Sequence, residues 1–168
     1  MSRTSFHAPH FKRRLIPVLE RNPSEILLIE DDSNDVFLIR RAFGRIDLKL
    51  SLRVLEDGEV AIAHLNQLIA EENRELHPLP LFILLDLKLP RRSGLEVLEW
   101  LKQQPALCRI PVVVLTSSQE SVDVDRAYDL GANSYLVKPV TFNALLNMIQ
   151  TIETYWVKFN QFPSIQKA

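Results

Sequence analysis

Four short, largely apolar runs, each cut off by a charged or hydroxyl-bearing residue, constrain this chain more than any other feature. Ile26-Leu27-Leu28-Ile29 stops at Glu30-Asp31-Asp32, and Leu81 to Leu85 stops at Asp86. Val112 to Leu115 stops at Thr116, and Ser134 to Val137 stops at Lys138. Apolar runs of this length, without polar alternation, suit strands covered on both faces. A sheet covered on both faces is typically parallel, with helices above and below it.

The segments between the runs carry helical spacing. Ser33 is placed to cap a helix that has Asp35 in its first turn, a stripe of Val36, Ile39 and Phe43, and Gly44 near its end. Leu50, Leu52 and Val54 alternate as a strand, and Gly58 to Glu72 reads as a helix with Ile62, Leu65 and Ile69 on one face. A long polar loop spans Ala70 to Pro80. Leu95, Leu98 and Leu101 mark a third helix closed before Pro105, and Ser121 to Leu130 reads as a fourth. A last helix begins near Thr141. Five strands alternating with five helices predict an α/β fold with a doubly wound five-stranded parallel sheet. In such a sheet the reactive site lies outside the carboxyl ends of the strands. The residues that terminate the runs therefore belong in one place.

As a group they make chemical sense. Crowded carboxylates at Glu30, Asp31 and Asp86 repel one another, and a divalent cation relieves the conflict. Mg²⁺ takes oxygen ligands and often combines one or two carboxylates with phosphate oxygens. A carboxylate is also a nucleophile capable of forming an aspartyl phosphate. Lys138 would then supply an ammonium and Thr116 a hydroxyl to the transferring phosphoryl group. No serine–histidine–acid set, histidine metal pair or Gly-rich nucleotide loop competes with this reading.

Composition narrows the setting. Hydrophobic residues make up 46% of the 168, enough for a sizeable core, and a net charge of -1 argues against general nucleic-acid binding. Cys108 is the single cysteine, so no internal disulfide forms. No apolar stretch approaches a membrane span, and no continuous apolar segment follows the basic residues Arg3, Lys12, Arg13 and Arg14. A cytoplasmic protein is expected. Residues 1–23 hold three prolines and that basic cluster, and read as a flexible arm or as a docking arm for an acidic partner.

The motifs resemble the response-regulator receiver domain of two-component systems. Ile-Glu-Asp-Asp-Ser at 29–33 is similar to its acidic turn, and Leu-Leu-Asp-Leu-Lys-Leu-Pro at 84–90 with Arg-Arg-Ser-Gly at 91–94 to its phosphoacceptor segment. Val-Leu-Thr-Ser-Ser at 114–118 and Gly-Ala-Asn-Ser-Tyr-Leu-Val-Lys-Pro-Val at 131–140 resemble its threonine and lysine segments. The resemblance covers residues 24–156, with residues 157–168 as the end of the last helix and a tail. It implies a flavodoxin-like (βα)5 fold with strand order 2-1-3-4-5. It implies that Asp86 accepts the phosphoryl group, and that Mg²⁺ is bound by Asp31, Asp86 and the Lys88 backbone carbonyl, with Glu30 acting through water. Thr116 and Lys138 would contact the phosphoryl group, Tyr135 would be the switch aromatic, and the Lys138–Pro139 bond would be cis. Glu30 departs from the commoner aspartate.

Two peripheral features resemble the small receivers that partner cyanobacterial phytochromes, which implies a phytochrome histidine kinase as phosphodonor. Ile-Glu-Thr-Tyr-Trp at 152–156 and Ile-Pro-Val-Val-Val-Leu-Thr at 110–116 carry this resemblance. The last helix, continued from Thr141 to Phe159, would be about 28 Å long. Leu145, Met148, Ile149, Ile152, Tyr155, Trp156 and Phe159 fall on one face of it. That face is expected to form a homodimer with the fourth helix and fifth strand, the alternative being that it folds back on its own domain. A phosphatase using Asp86 is disfavoured for lack of a second catalytic acid and a cap domain. The other function class is a phosphorylation-independent scaffold, whose partner affinity Asp86→Asn would leave unchanged. A DNA-binding transcription factor is not expected, since only about a dozen residues follow Trp156.

Overall fold

The computed structural model describes residues 25–46, 50–71 and 78–163. The expected arm at 1–23 and most of the polar 70–80 loop lie outside the described residues. Five strands, β1 (Glu25–Ile29), β2 (Ser51–Leu55), β3 (Ile83–Leu85), β4 (Val112–Thr116) and β5 (Ser134–Val137), form one parallel sheet. Its order is β2-β1-β3-β4-β5, as the resemblance implies. Between and after them run α1 (Ser33–Phe43), α2 (Gly58–Ala70), α3 (Gly94–Gln103), α4 (Ser121–Asp129) and α5 (Phe142–Ile152).

Burial follows the hydrophobic pattern. The central strands β3 and β4 are buried throughout, and β1 is buried after Glu25. The edge strands β2 and β5 are partly exposed, which is why Arg53 and Ser134 are tolerated in them. Alternate strand residues feed two cores. Leu27, Ile29, Ile83, Leu85 and Val114 pack under α2 and α3, while Ile26, Leu28, Leu84, Val113 and Leu115 pack under α1 and α5.

Several local expectations need correction. Asp32, not Ser33, caps α1, because its Oδ1 accepts the N–H groups of Asn34 and Asp35 at 2.8 and 3.1 Å. Among the described residues no peptide bond is cis, so the Lys138–Pro139 bond is trans. Trans is the lower-energy isomer of an X–Pro bond by about 0.5–1 kcal/mol, and Lys138 reaches the acids from this backbone without the cis form.

The C-terminal helix differs more. Leu145, Ile149 and Ile152 are buried in the protein's own core, and Met148 and Trp156 pack against it, with Trp156 stacked on Phe82 at 6.1 Å. Most of the face expected to dimerise is thus used within the domain, because its helical stripe turns toward the apolar sheet. After Ile152 the helix widens into a π-helix over Glu153–Phe159. Asn160 donates to Tyr155 O, and Lys158 pairs with the buried Glu153 at 2.9 Å, both five residues apart as the wider turn requires. The changed winding takes Phe159 out of the stripe. Tyr155 and Phe159 end up 56% and 74% exposed. Among the described residues, no helix is long and apolar enough to cross a membrane.

Candidate functional site

Parallel register brings the ends of the apolar runs to one edge. Ile29 pairs with Leu85, and Asp86 N–H donates to Ile29 O at 3.0 Å, so Glu30 and Asp86 leave the sheet side by side. On the other side Lys138 N–H donates to Thr116 O at 2.8 Å. Carboxylate oxygens of Glu30, Asp31 and Asp86 lie within 4.8 Å of one another. Glu30, Asp86 and Thr116 are buried, while Asp31 is exposed.

Lys138 closes the cluster. Its Nζ lies 2.5 Å from Glu30 Oε2, 2.7 Å from Asp35 Oδ2 and 3.0 Å from Asp86 Oδ2. Asp86 Oδ1 accepts the Lys88 N–H at 3.2 Å. Burial works to raise the Asp86 pKa, but the Thr116 hydroxyl, the Lys138 charge and the Lys88 N–H together hold it below the ordinary carboxylate value. It is an anion at neutral pH. Burial also works to lower the Lys138 pKa, but its carboxylate neighbours raise it overall, so the ammonium stays charged.

Glu30 is different. Its Oε1 accepts the Asp32 N–H at 3.1 Å, while Oε2 meets Lys138 as an ion pair without the direction of a hydrogen bond. Burial pushes its carboxyl up to about 7, with Lys138 opposing and the Asp86 charge adding to the rise. A folded value above the ordinary 4.5 means that the protonated acid favours the folded state, fully so below about pH 4.5. That contribution is lost as pH rises through about 7. Metal-free protein is therefore expected to lose stability across this window in urea titrations, and Glu30→Gln to remove that part of the slope. An unchanged slope in the variant would contradict the assignment.

Three carboxylates, one of them with a buried oxygen lacking a directed donor, fit a hard divalent cation. The metal would compete with Lys138 for Glu30 and Asp86. The site thus unites Glu30, Asp31, Asp86, Thr116 and Lys138, all foreseen from sequence. Tyr135 points its hydroxyl to Ser118 O at 3.1 Å, and Ser118 Oγ donates to Asp123 Oδ2 at 2.6 Å. The aromatic is thereby tied to the segment after Thr116, one step from the acids.

Sequence reasoning missed two residues. The sequence marks Asp35 only as an acid near the helix dipole, yet it contacts Lys138; an acid in the first turn of a helix has its Cβ tilted back toward the strand ends, which is the available signal. Buried Asp57 caps α2 through the Val60 N–H and pairs with Arg91, whose φ of 62° is left-handed. That pair joins the β2–α2 loop to the loop after Asp86, and no spacing rule links the two positions.

Comparison with known proteins agrees with this geometry. The family model for the response regulator receiver domain matches residues 26–150. The chain is 42% identical over 147 residues to the probable methanogenesis regulatory protein FilR2 of Methanothrix harundinacea, covering 87% of this chain and 92% of that one. It is also 42% identical over 146 residues to the response regulator Rcp1 of Synechocystis sp., covering 86% and 97%. The crystal structure of Mn²⁺-bound Rcp1 superposes with a TM-score of 0.74 over 84% of this chain and all of that one. The phosphorylated cyanobacterial phytochrome response regulator RcpA, 36% identical, gives the same TM-score over 84% of this chain and 99% of its own.

Proposed function

The chain belongs to the response regulator receiver domain family, and from that premise we propose that Asp86 accepts a phosphoryl group from the phosphohistidine of a histidine kinase. The observation that carries this reading is the clustering of Glu30, Asp31 and Asp86 at the strand ends, two of them paired with Lys138. An oxygen of Asp86 attacks phosphorus, the phosphorus–nitrogen bond of the donor breaks, and the imidazole leaves and takes up a proton. Mg²⁺ is the proposed cation, held by Asp31, Asp86 and the Lys88 carbonyl with Glu30 through water. When bound it supplies charge stabilisation to the phosphoryl oxygens. Lys138 and Thr116 do the same from the protein side.

Response regulators act as switches rather than turnover enzymes, and here the transfer to Asp86 and the later loss of the phosphoryl group are both self-catalysed. Phosphorylation adds charge at Asp86. Thr116 would close on it, and the Tyr135–Ser118 tie would move with the segment that follows Thr116. The readout face is then α4, β5 and α5, through which a homodimer is proposed; of the aromatic residues expected there, Tyr155 and Phe159 have free surface to offer. Similarity to Rcp1 and RcpA favours a phytochrome kinase as donor and the cytoplasm as location. A phosphorylation-independent scaffold is not favoured, since it gives the buried acids and Lys138 no task.

The test is incubation with Mg²⁺ and acetyl phosphate, followed by intact mass. One added phosphoryl group that is released by base is expected. Folded protein that takes none from acetyl phosphate or from phosphorylated histidine kinases would refute the proposal.

A further inference from the structure

We propose that Asp35 is the positioning residue for Lys138, keeping its ammonium in the site when a metal and a phosphoryl group claim the other two acids. The inference rests on the phosphotransfer reading above and deepens it. Of the three carboxylates around Lys138 Nζ, Glu30 and Asp86 belong to the group able to hold a cation, whereas Asp35 does not. The ammonium has three N–H donors, and in this state three acids surround it. A divalent cation drawn to Glu30 and Asp86 withdraws their charge from Lys138 and repels it directly. Formation of the acyl phosphate then uses an Asp86 oxygen. Asp35, hydrogen-bonded to Nζ at 2.7 Å from the first turn of α1, is the carboxylate left to Lys138 throughout, beside whatever phosphoryl oxygen it meets.

The backbone of Asp35 is anchored where its carboxylate can reach Lys138. Its backbone N–H is held by the Asp32 cap at 3.1 Å, at the start of a helix that rests on the sheet through Ile39 and Phe43. Lys138 has a flexible four-carbon stem whose ordering is entropically unfavourable. A fixed anion on a neighbouring helix confines it. The ammonium is then already in position where charge develops in the transition state, which is where preorganisation counts.

Phosphorylation by acetyl phosphate is to be followed by intact mass at saturating Mg²⁺, across donor concentrations, for wild type, Asp35→Asn and Asp35→Glu. The maximal rate of Asp35→Asn is expected to fall roughly tenfold, the size of one charged hydrogen bond, with little change in the KM for donor. Asp35→Glu, which returns the carboxylate, is expected to recover part of the rate, and the thermal midpoints of the three proteins to agree closely. An Asp35→Asn rate equal to wild type would overturn the inference. So would a raised KM at unchanged maximal rate, or equal slowing in both variants alongside lost stability. Wild-type protein that takes no phosphoryl group refutes phosphotransfer itself, whereas a normal wild type with an unaffected Asp35→Asn refutes only the role of Asp35.

Discussion

Asp86→Asn is expected to abolish phosphorylation altogether, with no residual mass gain from acetyl phosphate at any Mg²⁺ concentration. The amide nitrogen cannot replace the anionic oxygen as a nucleophile toward phosphorus, and nothing else at the strand ends stands in its place. Glu30, the buried acid beside it, is already engaged by Lys138 and the Asp32 N–H. The substitution should leave the fold intact. Asparagine keeps an oxygen for the Lys88 N–H, and Lys138 keeps Glu30 and Asp35. Thermal unfolding of the variant separates a lost acceptor from a lost fold. Phosphorylation at the wild-type level would place the acceptor elsewhere.

Gly94→Ala carries the second large effect, this time on stability. A Cβ at Gly94 would stand 2.0 Å from Asp86 O and 2.7 Å from Leu87 Cα, and both are backbone atoms that cannot turn aside. Gly94 opens α3, and its N–H donates to Leu87 O at 3.0 Å, so helix and strand end are in direct contact here. Either α3 retreats or the Asp86 backbone moves. Overpacking of this kind destabilises by about 3 kcal/mol. It should also slow phosphorylation in whatever fraction stays folded, because the acceptor is carried on the displaced segment. Gly44→Ala is the control: its φ is -68° and its nearest neighbour would be 3.4 Å away, so its urea midpoint should barely move. Equal midpoints for the two alanine variants would contradict this account of Gly94.

Much of the site was legible because the strands are short and buried. Burial on both faces forces each run to be apolar, so the first polar residue after it marks the carboxyl edge. That logic locates Glu30, Asp86 and Thr116, whereas Lys138 ends the partly exposed edge strand β5 and is found by its place in the alternation of strands and helices. It failed where position depends on helix winding. Leu145 to Phe159 has the spacing of one apolar face, yet the π-helix after Ile152 divides it into a buried stripe and two outward aromatics. Apolar periodicity cannot tell a stripe that covers its own sheet from one that covers a partner.

The fold and the clustering of polar residues at its strand ends follow from the amino-acid order. Its apolar runs can be buried only as a covered parallel sheet, and parallel strands put all their carboxyl ends on one side. Tertiary structure alone decided how the charges are shared there. Three acids pair with one lysine and a fourth, Asp31, stands beside two of them, an arrangement set by the packing of α1, β1, β3 and β5. Asp35 meets the ammonium, while Asp31 is exposed beside the two buried acids.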